Sequence, residues 1–226
     1  MSSSALPSLT SRQAKEVDAL AQERFGISVD WLMEAAGWQV ARFCGQPAAV
    51  VCGVGNNAGD GLAAARHLHR WGKLSSVCCV DADRLRGAAA RELDALRRIG
   101  VEVSNELDVR NAEVVVDAIF GTGLSRAPEE RFAGWIQSIN TSGKQVIAID
   151  LPSGLDADTG VAYAPTVNAS VTITLGLPKP GLLQGDGPRL SGSVLVADIG
   201  VPFEAYAAVG VAVPAGLFAK GDLVRL

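Results

Sequence analysis

The segment richest in polar and potentially reactive residues is Val50–Gly61, "VVCGVGNNAGDG", where an apolar run ends in glycines, asparagines and an aspartate. Gly53, Gly55 and Ala58 form a GxGxxA pattern, in which missing side chains let backbone amides approach a pyrophosphate. The segment also carries polar side chains that a simple pyrophosphate loop does not require: Asn56, Asn57 and Asp60. These residue types predict a ligand-binding loop between a strand and a helix.

A second interpretation of the same spacing is structural. The glycines then permit a tight strand-to-helix turn, and Asp60 caps the helix that follows. A dinucleotide fingerprint places an acidic residue about 20 residues further along the chain. The only candidates for it are Asp81 and Asp83, and both come somewhat late. This segment alone therefore leaves both interpretations open.

Two later strand ends repeat this type of chemistry. Asp117 ends an apolar run and precedes the stretch Gly121–Arg126, which could bind phosphate through its amides while Arg126 supplies charge. Alternatively, Asp117 accepts hydrogen bonds from the next turn. In "IDLPSG", Asp150 and Ser153 again place a carboxylate and a hydroxyl within a few residues of each other.

Three oxygen-bearing side chains from different strand ends could together hold a cation: Asn57, Asp117 and Ser153. Oxygen ligands suit hard cations. Because the set contains one carboxylate and otherwise neutral oxygens, it favours a monovalent ion over a tightly held divalent one. Lys179 lies between Pro178 and Pro180, so it is either a positioned cation of the site or a solvated turn lysine.

The elements that position these residues follow from hydrophobic periodicity. Thr10 and Gln13 predict a capping box for a helix that stops near Gly26, and a second helix is expected over residues 29–43. Seven short apolar runs then alternate with helical patterns and predict strands: residues 48–54, 75–80, 101–105, 113–121, 145–154, 171–176 and 193–200. This alternation is typical of a doubly wound α/β domain with a mostly parallel sheet.

In such a sheet, ligands bind outside the carboxyl ends of the strands, where the loops converge and helix N-termini point at them. The predicted site is therefore at that edge. No repeat or low-complexity linker interrupts the chain of 226 residues, so a single domain over residues 1–226 is expected, with its core at about 10–202.

Composition excludes several classes of protein. A net charge of −4 provides no basic face for nucleic acid. The four cysteines lack metal-ligand spacing and predict buried thiols in a reducing cytoplasm. The N-terminus has no apolar signal sequence, and no segment is long and apolar enough to span a membrane, so neither a membrane nor nucleic acid is an expected partner.

Four motifs in register resemble the NAD(P)HX epimerase family, also called the YjeF N-terminal domain: "GVGNNAGDG", "VDAIFGTGLSR", "IDLPSGLDADTG" and "TITLGLPKPGLL…SGSVLVADIGVP". The resemblance runs from "LMEAAG" to about Pro202. It departs at Ala58, where the family usually has glycine. If this position needs a positive φ, alanine costs about 1 kcal/mol there.

The resemblance implies a Rossmann-like fold, commonly dimeric, that interconverts the R and S forms of hydrated NADH and NADPH (NADHX and NADPHX). It implies one potassium ion per subunit on Asn57, Asp117 and Ser153. It further implies a substrate site that comprises Asn56, Asn57, Ala58, Gly59, Asp60, Gly121, Thr122, Gly123, Leu124, Ser125, Arg126, Ala127 and Asp150.

For the chemistry, Asp117 or Asp150 is expected to stabilise a cationic intermediate electrostatically, with Lys179 as a donor or an anchor. Asp150→Asn is expected to reduce turnover far more than stability. An ATP-dependent dehydratase, separate or fused, is the expected pathway partner. Two alternatives are a non-catalytic dimerisation and nucleotide-binding scaffold, similar to a domain of messenger-RNA decapping scaffolds, and an ordinary NAD-dependent dehydrogenase.

Overall fold

The centre of the fold is a seven-stranded sheet in the order β2–β1–β3–β4–β5–β6–β7; the computed structural model describes residues 6–226. Strands β1 to β6 are parallel, and β7 pairs antiparallel with β6. The strands are β1 (Ala48–Cys52), β2 (Leu74–Cys79), β3 (Val114–Ala118), β4 (Gln145–Ile149), β5 (Val171–Leu175), β6 (Ser193–Ala197) and β7 (Leu223–Arg225).

Helices cover both faces of this sheet: α1 (Ser11–Glu23), α2 (Val29–Cys44), α3 (Asn56–Arg70), α4 (Gly87–Arg98), α5 (Glu130–Thr141), α6 (Pro180–Leu183), α7 (Gly187–Leu190) and α8 (Phe203–Ala208). Alternate strand residues face opposite layers. Val50 of β1 belongs to the core cluster that contains residues of α2, α3 and α4, whereas Val51 belongs to the cluster that contains Ile136 of α5. The predicted doubly wound α/β fold is confirmed.

The start of α1 is held at two points. The capping box predicted from Thr10 and Gln13 is present, with the Gln13 N–H donating to Thr10 Oγ at 3.2 Å and the Gln13 side chain accepting from the Thr10 N–H at 3.1 Å. The Leu9 N–H donates to the carbonyl of Pro178 at 2.9 Å, and the Ser11 hydroxyl donates to Asp158 at 2.7 Å. These contacts fix α1 against the carboxyl edge of the sheet.

Two sequence predictions of the strands need correction. Residues 101–105 form no strand; Ser104 makes only an isolated bridge to Cys78, because the paired part of the neighbouring edge strand ends at Cys79. The last strand, β7, was not predicted, and it lies beyond the expected core limit of 202. Its three residues form an edge strand, which is too short to show the alternation that signals a strand.

All four cysteines are unpaired and buried, as predicted. Burial raises the pKa of the Cys44 thiol to about 12, so this thiol is not reactive at neutral pH. Within residues 6–226, no helix combines the length and the apolar character that crossing a membrane requires.

Candidate functional site

A cavity of about 420 Å³ opens at the carboxyl edge of the sheet. Residues that follow β1, β3, β4 and β5 line it, together with residues of α1, α2 and α8. The predicted convergence of these loops at one edge is therefore observed. The polar and charged side chains of the lining are Lys15, Asp18, Asn56, Asn57, Asp60, Thr122, Asp150, Lys179 and Tyr206.

The stretch from Asn56 to Asp60 is not a loop, as its glycines suggested, but the first part of helix α3. Gly55 is the N-cap of α3, and no side chain caps this helix. Asp60 lies inside the helix, so the alternative in which Asp60 caps it is wrong. Because the first amides of a helix have no partners within it, the start of α3 is suited to bind an anion such as a phosphate. Gly53 follows β1 and packs closely against the backbone that follows β3, because a Cβ on Gly53 would lie 2.1 Å from the carbonyl oxygen of Ile119.

The helical geometry also decides the effect of Ala58. The only described non-glycine residues with positive φ are Glu130 and Asp150, so position 58 has no need of glycine. Its neighbour Gly59 is different, because a Cβ there would lie 2.5 Å from the sulfur of Met33 and 2.9 Å from the Cβ of Ala89. The family difference at Ala58 is therefore compatible with the structure.

We expect Gly59→Ala to lower the free energy of unfolding by about 1 kcal/mol, because an overpacking cost of about 2 kcal/mol exceeds the gain of about 1 kcal/mol from placing alanine in the helix. Ala58→Gly is the matched control and should cost about 1 kcal/mol, because glycine is less favourable within a helix. Urea denaturation of both variants measures the two effects. An increase in stability or turnover in Ala58→Gly would show that alanine strains this position after all.

The loop after β3 contributes only partly to the cavity. Gly121, Thr122, Gly123 and Leu124 line it. Ser125, Arg126 and Ala127 are exposed and lie outside its lining. The charge that Arg126 was expected to supply is therefore not at the cavity wall, and any contact of this side chain with a ligand would be made outside the cavity.

Asp117 and Ser153 form a buried polar cluster that does not itself line the cavity. The Ser153 hydroxyl donates to Asp117 Oδ1 at 2.6 Å, and the Ser153 N–H donates to Oδ2 at 2.8 Å. Burial raises the pKa of Asp117 to about 6, against the opposing effect of these hydrogen bonds. The Ile119 N–H also donates to Asp117 at 3.2 Å, so the sequence alternative of an Asp bonded to its following turn is observed as well.

Asn57 lies close to this cluster through the loop after β3. A Cβ on Gly121 would lie 3.4 Å from the Asn57 Cγ, and the preceding Phe120 N–H donates to the Ser153 hydroxyl at 2.8 Å. Asn57 is buried, and its side-chain nitrogen has no hydrogen-bond partner in the described chain. The three side chains predicted to form an oxygen cage thus meet in one region.

Lys179 is not a solvated turn residue, because it is only 3% exposed. Its ammonium group forms an ion pair with Asp150 and donates to the carbonyl of Leu175 at 2.9 Å. Asp150 has a φ of 67°, which directs the chain away from β4 at the strand end, and its carboxylate also accepts from the Leu175 N–H at 3.2 Å. This buried ion pair forms part of the cavity wall.

Sequence reasoning did not find Asp18 or Tyr206. Asp18 is on α1 and its side chain reaches solvent at the cavity mouth, yet the surrounding protein raises its pKa to about 6, with Lys179 opposing the shift. Asp60 is 9% exposed, and burial raises its pKa well above the usual value. The local pattern around Asp18 gave no signal, because only the packing of α1 at the sheet edge brings it to the cavity.

The fold and the cavity define a Rossmann-like α/β protein with a cavity at the carboxyl edge of its sheet. The family model described as YjeF-related protein N-terminus matches residues 9–181. The chain belongs to this family, which confirms the resemblance seen in its four motifs.

Relatives with curated names fall into two groups. The chain is 42% identical to the bifunctional NAD(P)H-hydrate repair enzyme Nnr of Thermofilum pendens, over 84% of this chain but 39% of that protein. It is 33% identical to the NAD(P)H-hydrate epimerase of Dehalogenimonas lykanthroporepellens, over 98% of this chain and 94% of that protein. The chain thus spans about two fifths of the bifunctional relative's length and nearly all of the epimerase's.

Among solved structures, the crystal structure of yeast ynu0 (YNL200c) is similar over 98% of this chain and 100% of that chain. The TM-score is 0.81 and the sequence identity is 26%.

Proposed function

We propose that this chain is an NAD(P)H-hydrate epimerase, which interconverts the R and S forms of hydrated NADH and NADPH. The observation that carries the proposal is the match, over 98% of the chain, to a protein of nearly the same length that bears this name. The cavity supports it, because the residues of the family motifs converge there with carboxyl, amide and ammonium groups.

The cavity has one region suited to each part of such a substrate. The diphosphate would bind at the start of α3 and along Gly121–Leu124, where backbone amides and a helix dipole favour negative charge. The hydrated ring would then lie deeper in the cavity, near Asp150 and Asp60. This arrangement leaves the Asp117 cluster behind the wall, so Asp117 would act without touching the ring.

The chemistry follows from the hydrate, which carries a hydroxyl on the carbon next to the ring nitrogen. Protonation of this hydroxyl lets the carbon–oxygen bond break, so that water leaves and the nitrogen lone pair forms an iminium. Water then adds to the other face and releases a proton. Such a site needs an acid, a base and negative charge near the cation. The carboxylate of Asp150 supplies negative potential, which Lys179 moderates.

We also propose a potassium ion on Asn57, Asp117 and Ser153, and the donor set fits one. It has one carboxylate, which forms no hydrogen bond with a Lys or Arg side chain of the described residues, together with neutral oxygens. Because only one of the three ligands carries a charge, the set suits a monovalent ion better than a tightly held divalent one. A bound cation would order the loop around Gly121 and add positive charge near the phosphates.

The proposal extends to the partner, the cellular environment and the oligomeric state of the enzyme. The bifunctional name and the greater length of these relatives support a second repair activity beside this domain, and we propose that it is a dehydratase, either separate or fused. Four unpaired cysteines support a reducing, cytoplasmic environment. A homodimer is proposed from the family resemblance.

The direct test begins with mixed NADHX, which an S-specific dehydratase and ATP convert until only the R form remains. Addition of this protein is expected to renew NADH formation well above the spontaneous rate, and more strongly in potassium than in sodium chloride. NADH absorbance follows the reaction. No acceleration by folded protein in potassium would contradict the proposal and favour a non-catalytic scaffold, whereas consumption of NADH with a panel of carbonyl compounds would indicate a dehydrogenase.

A further inference from the structure

Two carboxyl groups in the cavity have no partner in the protein. Within the described chain, neither the Asp18 nor the Asp60 side chain forms a hydrogen bond or an ion pair, whereas Asp150 is held by Lys179 and the Leu175 N–H. Asp60 is only 9% exposed, and buried polar groups are normally satisfied, whereas Asp18 is an exposed residue of α1. An unpaired carboxyl in a ligand cavity is therefore available to a substrate.

The two groups come from different helices, Asp18 from α1 and Asp60 from α3, and they interact electrostatically. The other titratable side chains that line the same cavity belong to α1, the end of β4, the segment before α6, and α8: Lys15, Asp150, Lys179 and Tyr206. The ammonium of Lys179 is in direct contact with Asp150, and its attraction also lowers the pKa of Asp18 and Asp60, although burial outweighs it in both. Glu92 of α4 adds negative charge near Asp60.

We propose that Asp18 and Asp60 are the catalytic acid–base pair of the epimerase, with Asp60 as the acid and Asp18 as the base toward the hydrated ring. This inference rests on the proposed function and adds a residue, Asp18, that none of the motifs contains. The two environments support it: burial raises the pKa of Asp60 well above its usual value, and the pKa of Asp18 is about 6. Near neutral pH, Asp18 is then mainly ionised, and the surroundings of Asp60 favour its protonated form.

The step balances with these two groups alone. Asp60 donates its proton to the departing hydroxyl, the electrons of the carbon–oxygen bond leave with the water, and the ring nitrogen lone pair forms the iminium. A water molecule adds from the side of Asp18, which accepts its proton. The reverse reaction uses Asp18 as the acid and Asp60 as the base. After the forward reaction, Asp18 is protonated and Asp60 is ionised. Proton exchange with solvent at the cavity mouth, through Asp18, then restores the resting state.

The sign of the pH dependence follows from the roles of the two carboxyl groups. Activity should rise as Asp18 ionises through a pH of about 6 and fall at higher pH as Asp60 loses its proton. Asp18→Asn removes the base but keeps the shape of the side chain. It should lower kcat in both directions by about 100-fold or more, with a small effect on KM, and should abolish the rise near pH 6.

The experiment compares full-length wild type, Asp18→Asn and Asp18→Ala in the R-NADHX assay, with Glu16→Gln as the matched control on the exposed side of α1. Sodium formate should partly restore turnover of Asp18→Ala, because the mouth admits a small carboxylate. Fluorescence titration with NADH and thermal unfolding should show binding and stability close to wild type in Asp18→Asn. These readouts separate a chemical role from a structural one.

The results of this experiment distinguish failure of the role of Asp18 from failure of the epimerase assignment. A kcat of Asp18→Asn within about threefold of wild type would overturn the role of Asp18 and leave the epimerase assignment intact. Loss of turnover together with loss of NADH binding would reduce Asp18 to a structural residue and also overturn the proposal. An inactive wild type would overturn the proposed function and this pair with it.

Discussion

Asp150→Asn is expected to remove almost all epimerase turnover and to lower the free energy of unfolding by about 3–5 kcal/mol. The reason is Lys179, which is 3% exposed and has Asp150 as its carboxylate partner. The amide leaves this ammonium buried with neutral oxygens, the Leu175 carbonyl at 2.9 Å and the Thr174 hydroxyl at 3.4 Å. The sequence alone predicted a loss confined mainly to turnover, and the ion pair adds the loss of stability.

Asparagine is the appropriate replacement because of the backbone. Asp150 has a φ of 67°, and asparagine tolerates this left-handed region, whereas alanine adds strain of about 1–2 kcal/mol. The double variant Asp150→Asn with Lys179→Met should recover part of the stability but none of the turnover. This result would separate the cost of the unpaired ammonium from the catalytic role of the carboxylate.

Urea denaturation and the R-NADHX assay measure both effects. Asp94→Asn is a suitable control, because its ion pair with Arg98 joins exposed side chains and should be nearly neutral. Normal turnover in Asp150→Asn would contradict the role of this carboxylate. A stability equal to wild type would show that Lys179 finds another partner or loses its proton.

Asp117→Ala is expected to lower the free energy of unfolding by roughly 3–6 kcal/mol, because it leaves three donors without an acceptor at about 1–3 kcal/mol each, with partial relaxation. Those donors are the N–H and hydroxyl of Ser153 and the N–H of Ile119, all facing a carboxylate that is 0% exposed. Turnover should fall to the spontaneous rate.

Because Asp117→Ala is expected to lose much of its stability, Ser153→Ala is the better variant for testing the proposed cation cage. It removes one oxygen of the proposed cage and keeps the carboxylate, although the Phe120 N–H loses its acceptor. Thermal unfolding in potassium and in sodium chloride should show a potassium-specific stabilisation of wild type that Ser153→Ala lacks. Thr159→Ala, an exposed threonine hydrogen-bonded to Asp156, is the control and should retain it. An identical potassium response in Ser153→Ala would contradict the cage.

Local patterns in the sequence determined most of the fold and the location of the site. Apolar runs such as residues 113–121 predict buried strands, because a strand covered on both faces must be apolar throughout. The capping box at Thr10 is equally local. Topology then places polar residues after these strands at a common edge, so the convergence of Asn57, Asp60 and Asp150 on one cavity could be predicted without coordinates.

Only the tertiary structure decided which of these side chains are paired, buried or free. The sequence left Lys179 as either a positioned cation of the site or a solvated turn lysine, because nothing adjacent in sequence reveals its contact with Asp150, 29 residues away. Asp18 enters the cavity because α1 is tied to Pro178 and Asp158, far along the chain. Periodicity is a property of neighbouring residues, whereas burial and charge pairing depend on segments that meet only after folding. The chemistry of the cavity is therefore set by contacts that no local pattern records.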